Sequence, residues 1–356
     1  MTSISVAGSA IGPAPYIYVT TRMRVRKSKL LPREEYLRML NMSLPEITRI
    51  IEESQYKAEI DELSQSFSGI DLVEVALSWN LAKEYQKILA ITPGRLRIFL
   101  QTYLRSWDIQ NVLTILRGKS QGMRVGKIKE ILIPAGSLDR ITLDRLLGEE
   151  SPERVVEALK GKRLYPVVEK EFPAAHESGS YAHMENELYK AYYADLIETA
   201  QAGVKGGRAF LEYIQLEIDI RNLQVAFRLR QGPIPEDARE MFIEGGEVKP
   251  DELVRLAVAE ASDELIETLQ QRVGAETLGG LIDQIRGDAP IHAIENALTH
   301  LRLDKMTRIS KRHVFSIVTI LDYLERKRFE VINLRALARG KESNLPTERI
   351  QSYLVI

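Results

Sequence analysis

Nine polar residues stand out by type and spacing. Asp108, Asn111 and Arg117 form one set, Asp219, Asn222 and Arg228 a second, and Glu330, Asn333 and Arg339 a third. In each set an acid precedes an asparagine by three residues and an arginine follows it by six. The asparagines fall at 111, 222 and 333, two intervals of 111. Asparagine is a poor choice inside a helix, because its amide competes for backbone partners. Two kinds of chemistry fit the sets. Each amide can satisfy a neighbouring loop or helix end and fix register, with the acid and arginine pinning adjacent units. Alternatively, the sets form a ring of polar groups facing a shared central cavity. The first reading is favoured, since buried polar groups must find partners wherever they occur.

Other chemistries find little support. Arg117-Gly118-Lys119-Ser120 resembles half of a phosphate-binding loop. Such a loop needs a glycine where Leu113 stands, a strand before it and a helix after it. Here the Gly-Lys pair is expected to close a helix, with Gly118 ending it and Lys119 favourable at the negative end of the helix dipole. The five histidines are His176, His183, His292, His300 and His313. None forms a His-Glu-x-x-His pair, and His292 and His300 are too far apart to share one metal on a regular helix. No serine sits in a Gly-x-Ser-x-Gly elbow. There is no cysteine, hence no disulfide, thiolate metal site or cysteine nucleophile. The expectation is no catalytic site, no cofactor and no metal.

Charge and composition narrow the class. The chain has 356 residues, 49 basic and 50 acidic, for a net charge of −1. That balance argues against a dedicated nucleic-acid binder. A hydrophobic content of 44% is enough for real cores. No apolar run approaches the roughly 20 residues a membrane helix needs. Residues 1–15 lack the basic and apolar parts of a signal peptide and are expected to be a loose tail. The densest positive run is Arg22, Arg24, Arg26, Lys27 and Lys29. It suits either a solvated helix end or contact with acidic partner loops or lipid head groups.

The elements that position these residues are helices. Apolar residues recur at three and four, as in Leu37, Leu40, Leu44, Ile47, Ile50 and Ile51. Ser43 or Leu44 is expected as a cap with Pro45 at an early helical position. Residues 69–90 and 94–118 continue the helical pattern, with a turn at Pro93-Gly94 and Thr92 as the N-cap of the helix bearing Asn111. Tyr16–Thr21 is strand-like in composition but is assigned to a helix by consistency with the repeats. Residues 161–183 are expected to be a surface connection, and Gly203–Gly207 a turn matching Pro93-Gly94.

A second set of matches extends the repeat. Leu31, Tyr36, Leu40, Ser43 and Glu46 align with Leu138, Leu143, Leu147, Ser151 and Glu153, and with Val248, Leu253, Ala257, Ser262 and Glu264. The offsets here depart from 111 by a few residues, as small loop insertions allow. The chain thus reads as three tandem helical domains, 16–126, 127–237 and 238–356. Ile350, Tyr353, Leu354 and Val355 echo Ile128, Ile131, Leu132 and Ile133, so a fourth copy is begun and dropped, as closing a ring of three requires. A solenoid of short repeats, with a generic scaffold or adaptor role, is the alternative, but 111 residues hold a whole small domain.

Three segments carry a family resemblance: Tyr18–Leu31 (YVTTRMRVRKSKLL), Leu100–Lys119 (LQTYLRSWDIQNVLTILRGK) and Ile131–Leu138 (ILIPAGSL). They resemble the C subunit of the archaeal A-type ATP synthase, a family similar to the d subunit of vacuolar-type ATPases. The resemblance implies an all-α funnel of three similar domains around a pseudo-threefold axis. It implies a non-catalytic rotor component that seats the central stalk, made of the D and F subunits, and rests on the proteolipid ring, with the A and B subunits in the same complex. It also implies a peripheral place at the cytoplasmic face of the membrane and torque transfer in proton- or sodium-coupled ATP synthesis.

Overall fold

The computed structural model describes residues 14–202, 206–258 and 290–356, together with positions 263 and 267. Most of the expected N-terminal tail, the Ser262 and Glu264 matches and part of the 203–207 turn lie outside the described residues. All regular elements among the described residues are helices, so the all-α class holds.

The first stretch contains α1 (Ala14–Lys27), α2 (Arg33–Met39), α3 (Leu44–Glu52), α4 (Lys57–Leu63), α5 (Gly69–Ile91), α6 (Gly94–Leu104) and α7 (Ser106–Ser120). The second contains α8 (Val125–Ile131), α9 (Arg140–Gly148), α10 (Pro152–Ala158), α11 (Tyr165–Ser178), α12 (Ala182–Gln201) and α13 (Gly207–Leu229). A 3-10 turn at Ala238–Met241 and α14 (Pro250–Val258) follow, then α15 (Ile291–Arg312), α16 (Ile317–Glu342) and α17 (Thr347–Tyr353). Tyr16–Thr21 lies in α1, in keeping with the helical assignment.

Local sequence explains the boundaries. The Glu46 carboxylate accepts from both Ser43 N (2.8 Å) and Ser43 Oγ (2.7 Å), and Pro45 stands in the first turn of α3. Asp139 caps α9 by accepting from Thr142 N at 2.8 Å. Ser151 caps α10, with Pro152 at its first position. Close helix approach needs glycine at the start of α13, where a Cβ on Gly207 would fall 2.1 Å from Ala200 O of α12.

Three expectations are corrected. Thr92 is not an N-cap: it ends α5, and its hydroxyl donates back to Ile88 O at 2.7 Å. The helix carrying Asn111 starts afresh at Ser106, because the chain steps at Arg105 between α6 and α7. Residues 161–183 are mostly helix, not connection. Val168, Phe172 and Ala175 fall on one face of α11 and bury it, and Pro166 sits in its first turn, where its missing N–H costs nothing.

The centre is built from long helices that bury nearly all of their faces. α16 packs against α1, α5, α15 and α17, and meets α13 and α6. It therefore lacks a polar stripe: Ile317, Leu324, Val331 and Leu337 are all buried, as are its polar residues Asp322, Glu325, Lys327, Glu330 and Asn333. α13 joins α12, α15 and α14 in the same way.

Candidate functional site: repeated polar joints and a buried arginine

Each asparagine holds one extended backbone residue by two hydrogen bonds. Asn111 Nδ2 donates to Ile133 O (2.7 Å) and Ile133 N donates to Asn111 Oδ1 (2.9 Å). Asn222 does the same with Ile243 (2.8 and 2.9 Å), and Asn333 with Val355 (2.7 and 2.9 Å). All three amides are buried. The segment after each short helix has no ladder partner of its own, and the side chain supplies one.

The acids hold N–H groups a few residues further on. Asp108 accepts from Ser137 N (3.0 Å), Ser137 Oγ (2.6 Å) and Leu138 N (2.8 Å). Asp219 accepts from Glu247 N (3.2 Å) and Val248 N (3.1 Å). Glu330 accepts from Leu31 N at 2.7 Å, and from Tyr56 Oη (2.6 Å) and Lys327 Nζ (2.9 Å). Leu138, Val248 and Leu31 are the positions that the internal alignment of the repeats pairs. Glycine permits the two shorter acids to approach. A Cβ on Gly136 would lie 2.2 Å from Asp108 Oδ1, and one on Gly246 2.1 Å from Asp219 Oδ1. Where the first copy has Lys29 in that place, the acid is the longer Glu330.

Burial raises the Asp108 carboxyl and pushes Asp219 up to about 6, against the backbone hydrogen bonds that favour its charged form. The folded Asp219 carboxyl thus holds its proton more tightly than the unfolded one, whose pKa is near 4. Stability from this group is fully present below about pH 4, falls as pH rises to about 6, and is flat above. The fall is roughly 3 kcal/mol at most. Asp219→Asn is expected to remove it, as urea denaturation from pH 4 to 8 would register. Identical pH slopes in wild type and variant would rule this out.

The arginines pair with glutamates on long helices. Arg117 meets Glu185 (2.7 Å), Arg228 meets Glu295 (2.6 Å), and Arg339 meets Glu74 (2.7 Å). Glu74, Glu185 and Glu295 are themselves spaced by 111 and 110 residues. These pairs are half-exposed and each contributes about 1 kcal/mol or less, so they orient more than they stabilise. Two residues beyond each arginine another cation reaches a helix end. Lys119 Nζ donates to Leu147 O (2.9 Å), Arg230 NH1 to Leu256 O (2.8 Å) and Lys341 Nζ to Leu40 O (2.6 Å). These carbonyls belong to α9, α14 and the end of α2.

Lys119 lies in the last turn of α7, as expected, and its ammonium also serves the end of α9. Gly118 does not close α7: it lies inside the helix, where a Cβ would come within 2.7 Å of Ile128, as one on Gly340 would within 2.6 Å of Ile350. Just past the ends of α7 and α16 stand left-handed residues, Gly122 (φ 66°) and Asn344 (φ 52°).

A polar cluster that the spacing did not reveal lies among the central helices. Arg302 of α15 bridges Glu217 of α13 (2.6 Å) and Glu325 of α16 (2.8 Å). Tyr103 Oη of α6 contacts Glu217 (3.0 Å), Glu325 (2.8 Å) and Tyr213 Oη (3.0 Å), and Tyr213 donates to Glu217 at 2.6 Å. Nearby, Phe99 and Phe210 meet with ring centroids 4.7 Å apart. Ser106, Glu217 and Arg328 line one cavity of about 200 Å³. They are spaced 111 apart but share no chemistry, so type-matching passes over them.

The remaining candidates fall to structural roles. Lys27 pairs with Asp322 at 2.6 Å and Arg26 with Glu84, which takes two of the basic run into the fold. His176 and His183 each lie 3.3 Å from a glutamate, Glu153 and Glu171 respectively. Among the described residues no group of three or more histidine or carboxylate side chains could hold a metal, and no helix is long and apolar enough to cross a membrane.

Fold and site together define a helical structural protein whose distinctive polar residues join one part of the chain to another. The chain belongs to the ATP synthase (C/AC39) subunit family, whose model matches residues 19–353. It is 39% identical to the C subunit of the A-type ATP synthase of Methanosarcina mazei over 97% of this chain and 94% of that one. It is 34% identical to the corresponding C subunit of Halobacterium salinarum (98% and 99% covered) and 34% to that of Archaeoglobus fulgidus (96% and 97%). This membership makes it a structural component of an ATP synthase and not a catalytic one.

Proposed function

We propose that the chain is a rotor component: a socket that seats the central stalk of the D and F subunits, rests on the proteolipid ring and passes torque between them. In this reading residues 16–126, 127–237 and 238–356 are three domains about a pseudo-threefold axis. One observation carries the arrangement. Three of the four joints of the third copy reach the first: Glu330 to Leu31 N, Arg339 to Glu74 and Lys341 to Leu40 O, while Asn333 holds Val355 of its own copy. Contacts that advance one copy at a time and then return to the start are those of a closed ring, not an open array. The meeting of Phe99 with Phe210 supports an axis, because equivalent positions touch only where they lie close to it. Eight of the nine motif residues then act as inter-domain joints, and Asn333 fastens Val355 within its own domain.

A closed, densely packed helical ring resists twisting, as a torque coupling must. The lack of a membrane-crossing helix among the described residues suits peripheral attachment at the cytoplasmic face. Mixed exposed charge suits docking that weakens with salt. Purified protein is therefore expected to co-migrate with the D–F complex on gel filtration at low salt and to separate as salt rises. Separate elution at low salt would refute the socket.

A further inference from the structure

The cavity of about 200 Å³ lined by Ser106, Glu217 and Arg328 has more cationic capacity than the fold uses. Its wall also carries Arg221 and Arg302. Arg302 is spent on Glu217 and Glu325. Arg328 and Arg221 are not. The nearest carboxylate oxygen to Arg328 is that of Glu325 at 3.9 Å, and to Arg221 that of Glu185 at 3.7 Å, both beyond hydrogen-bond range. Glu185 is taken more closely by Arg117, at 2.7 Å. Counting these neighbours, four guanidinium groups face three carboxylates. Burial, with Glu325 alongside and against the pull of Arg302, also raises the Glu217 carboxyl, so its charge is the most readily lost.

Both of these loosely paired, partly exposed guanidinium groups lie against rings. Arg221 Cζ lies 3.6 Å from the Tyr189 centroid and Arg328 Cζ 5.3 Å from that of Trp107. Stacking fixes the plane of a guanidinium and leaves its N–H edge available, the geometry that recognises a tetrahedral oxyanion through paired hydrogen bonds. A water occupies about 30 Å³ of liquid, so the cavity has room for such an anion with part of its hydration.

We propose that this cavity binds a phosphate-type oxyanion, held by Arg221 and Arg328 with Arg302 behind them. The bound anion spans α13 and α16, and so ties central helices of the second and third copies together. Two sources share this chemistry, free phosphate and the terminal phosphoryl group of a nucleotide.

The test is thermal unfolding and calorimetric titration of the full chain with inorganic phosphate and, separately, with ADP. Chloride is exchanged throughout so that ionic strength stays constant. Saturable binding with a rising melting temperature is expected. It should weaken by about tenfold or more in Arg328→Gln and in Arg221→Gln, since each removes a charge-assisted pair. Arg221 is the more peripheral of the two in its contacts and serves if the Arg328 variant does not fold. Saturation by phosphate identifies the free ion as ligand, and saturation by ADP alone identifies a nucleotide. If neither saturates, or if binding is unchanged in a folded Arg221→Gln, the proposal is overturned.

Discussion

Arg302→Met will lower the unfolding free energy by about 3–5 kcal/mol at neutral pH, the range found when one partner of a buried ion pair is removed. Methionine fills much of the same stem volume, so packing changes little. The electrostatics change greatly. Glu217 and Glu325 are almost fully buried, and both rest on the same guanidinium. Burial opposes the charge on Glu325, and Arg302 is the main force that still holds its carboxyl below the usual range. Without it, two buried carboxylates keep the Tyr103 and Tyr213 hydroxyls as donors and only Arg328, 3.9 Å from Glu325, as a nearby cation. Their pKa values must rise, so the loss should shrink as pH falls and both take up protons.

Urea denaturation reads this as a lower midpoint with an unchanged slope. Adding Glu217→Gln and Glu325→Gln to the variant should recover much of the loss, because the uncompensated charge is then gone. A single variant within about 1 kcal/mol of wild type would mean that water already solvates this cluster.

The parts of this site that the sequence discloses are those where repetition and chemistry coincide. Asn111, Asn222 and Asn333 are visible because the same amide meets the same extended backbone three times, which allows no other residue type. The partner positions Leu31, Leu138 and Val248 are visible too, since their register is fixed by the acids that hold their N–H groups. The Arg302 cluster is hidden for the opposite reason. In the one cavity that all three line, identical residues would crowd or repel, and Ser106, Glu217 and Arg328 differ in kind. Three like charges there would have been costly, and complementary ones erase the repeat.

Local propensity misled elsewhere. Gly118 reads as a helix end because glycine usually marks one, yet its role is to admit Ile128 against the helix. In the second copy Leu229 stands at the glycine's place, so the sequence signal vanishes there. α11 is obscured by its two prolines, one in the first turn and one inside the helix.

Asn222→Leu is the second change with a large expected cost. Leucine matches asparagine in size but can neither donate nor accept, so Ile243 loses partners for both its N–H and its C=O. Ile243 is buried, and no water reaches these groups readily. Each unsatisfied group costs about 1–3 kcal/mol, for a total loss of about 2–6 kcal/mol. The same substitution at Asn333 frees Val355, which is only partly buried. Water can take the place of the lost amide there, so Asn333→Leu should cost about half as much or less. The ratio of the two losses, measured by denaturation, separates burial of the backbone partner from any intrinsic value of the amide. Equal losses would remove solvent access as the cause. A fully stable Asn222→Leu that failed to bind the proposed D–F stalk, where wild type does, would make this position a contact with a partner and not a joint within the chain.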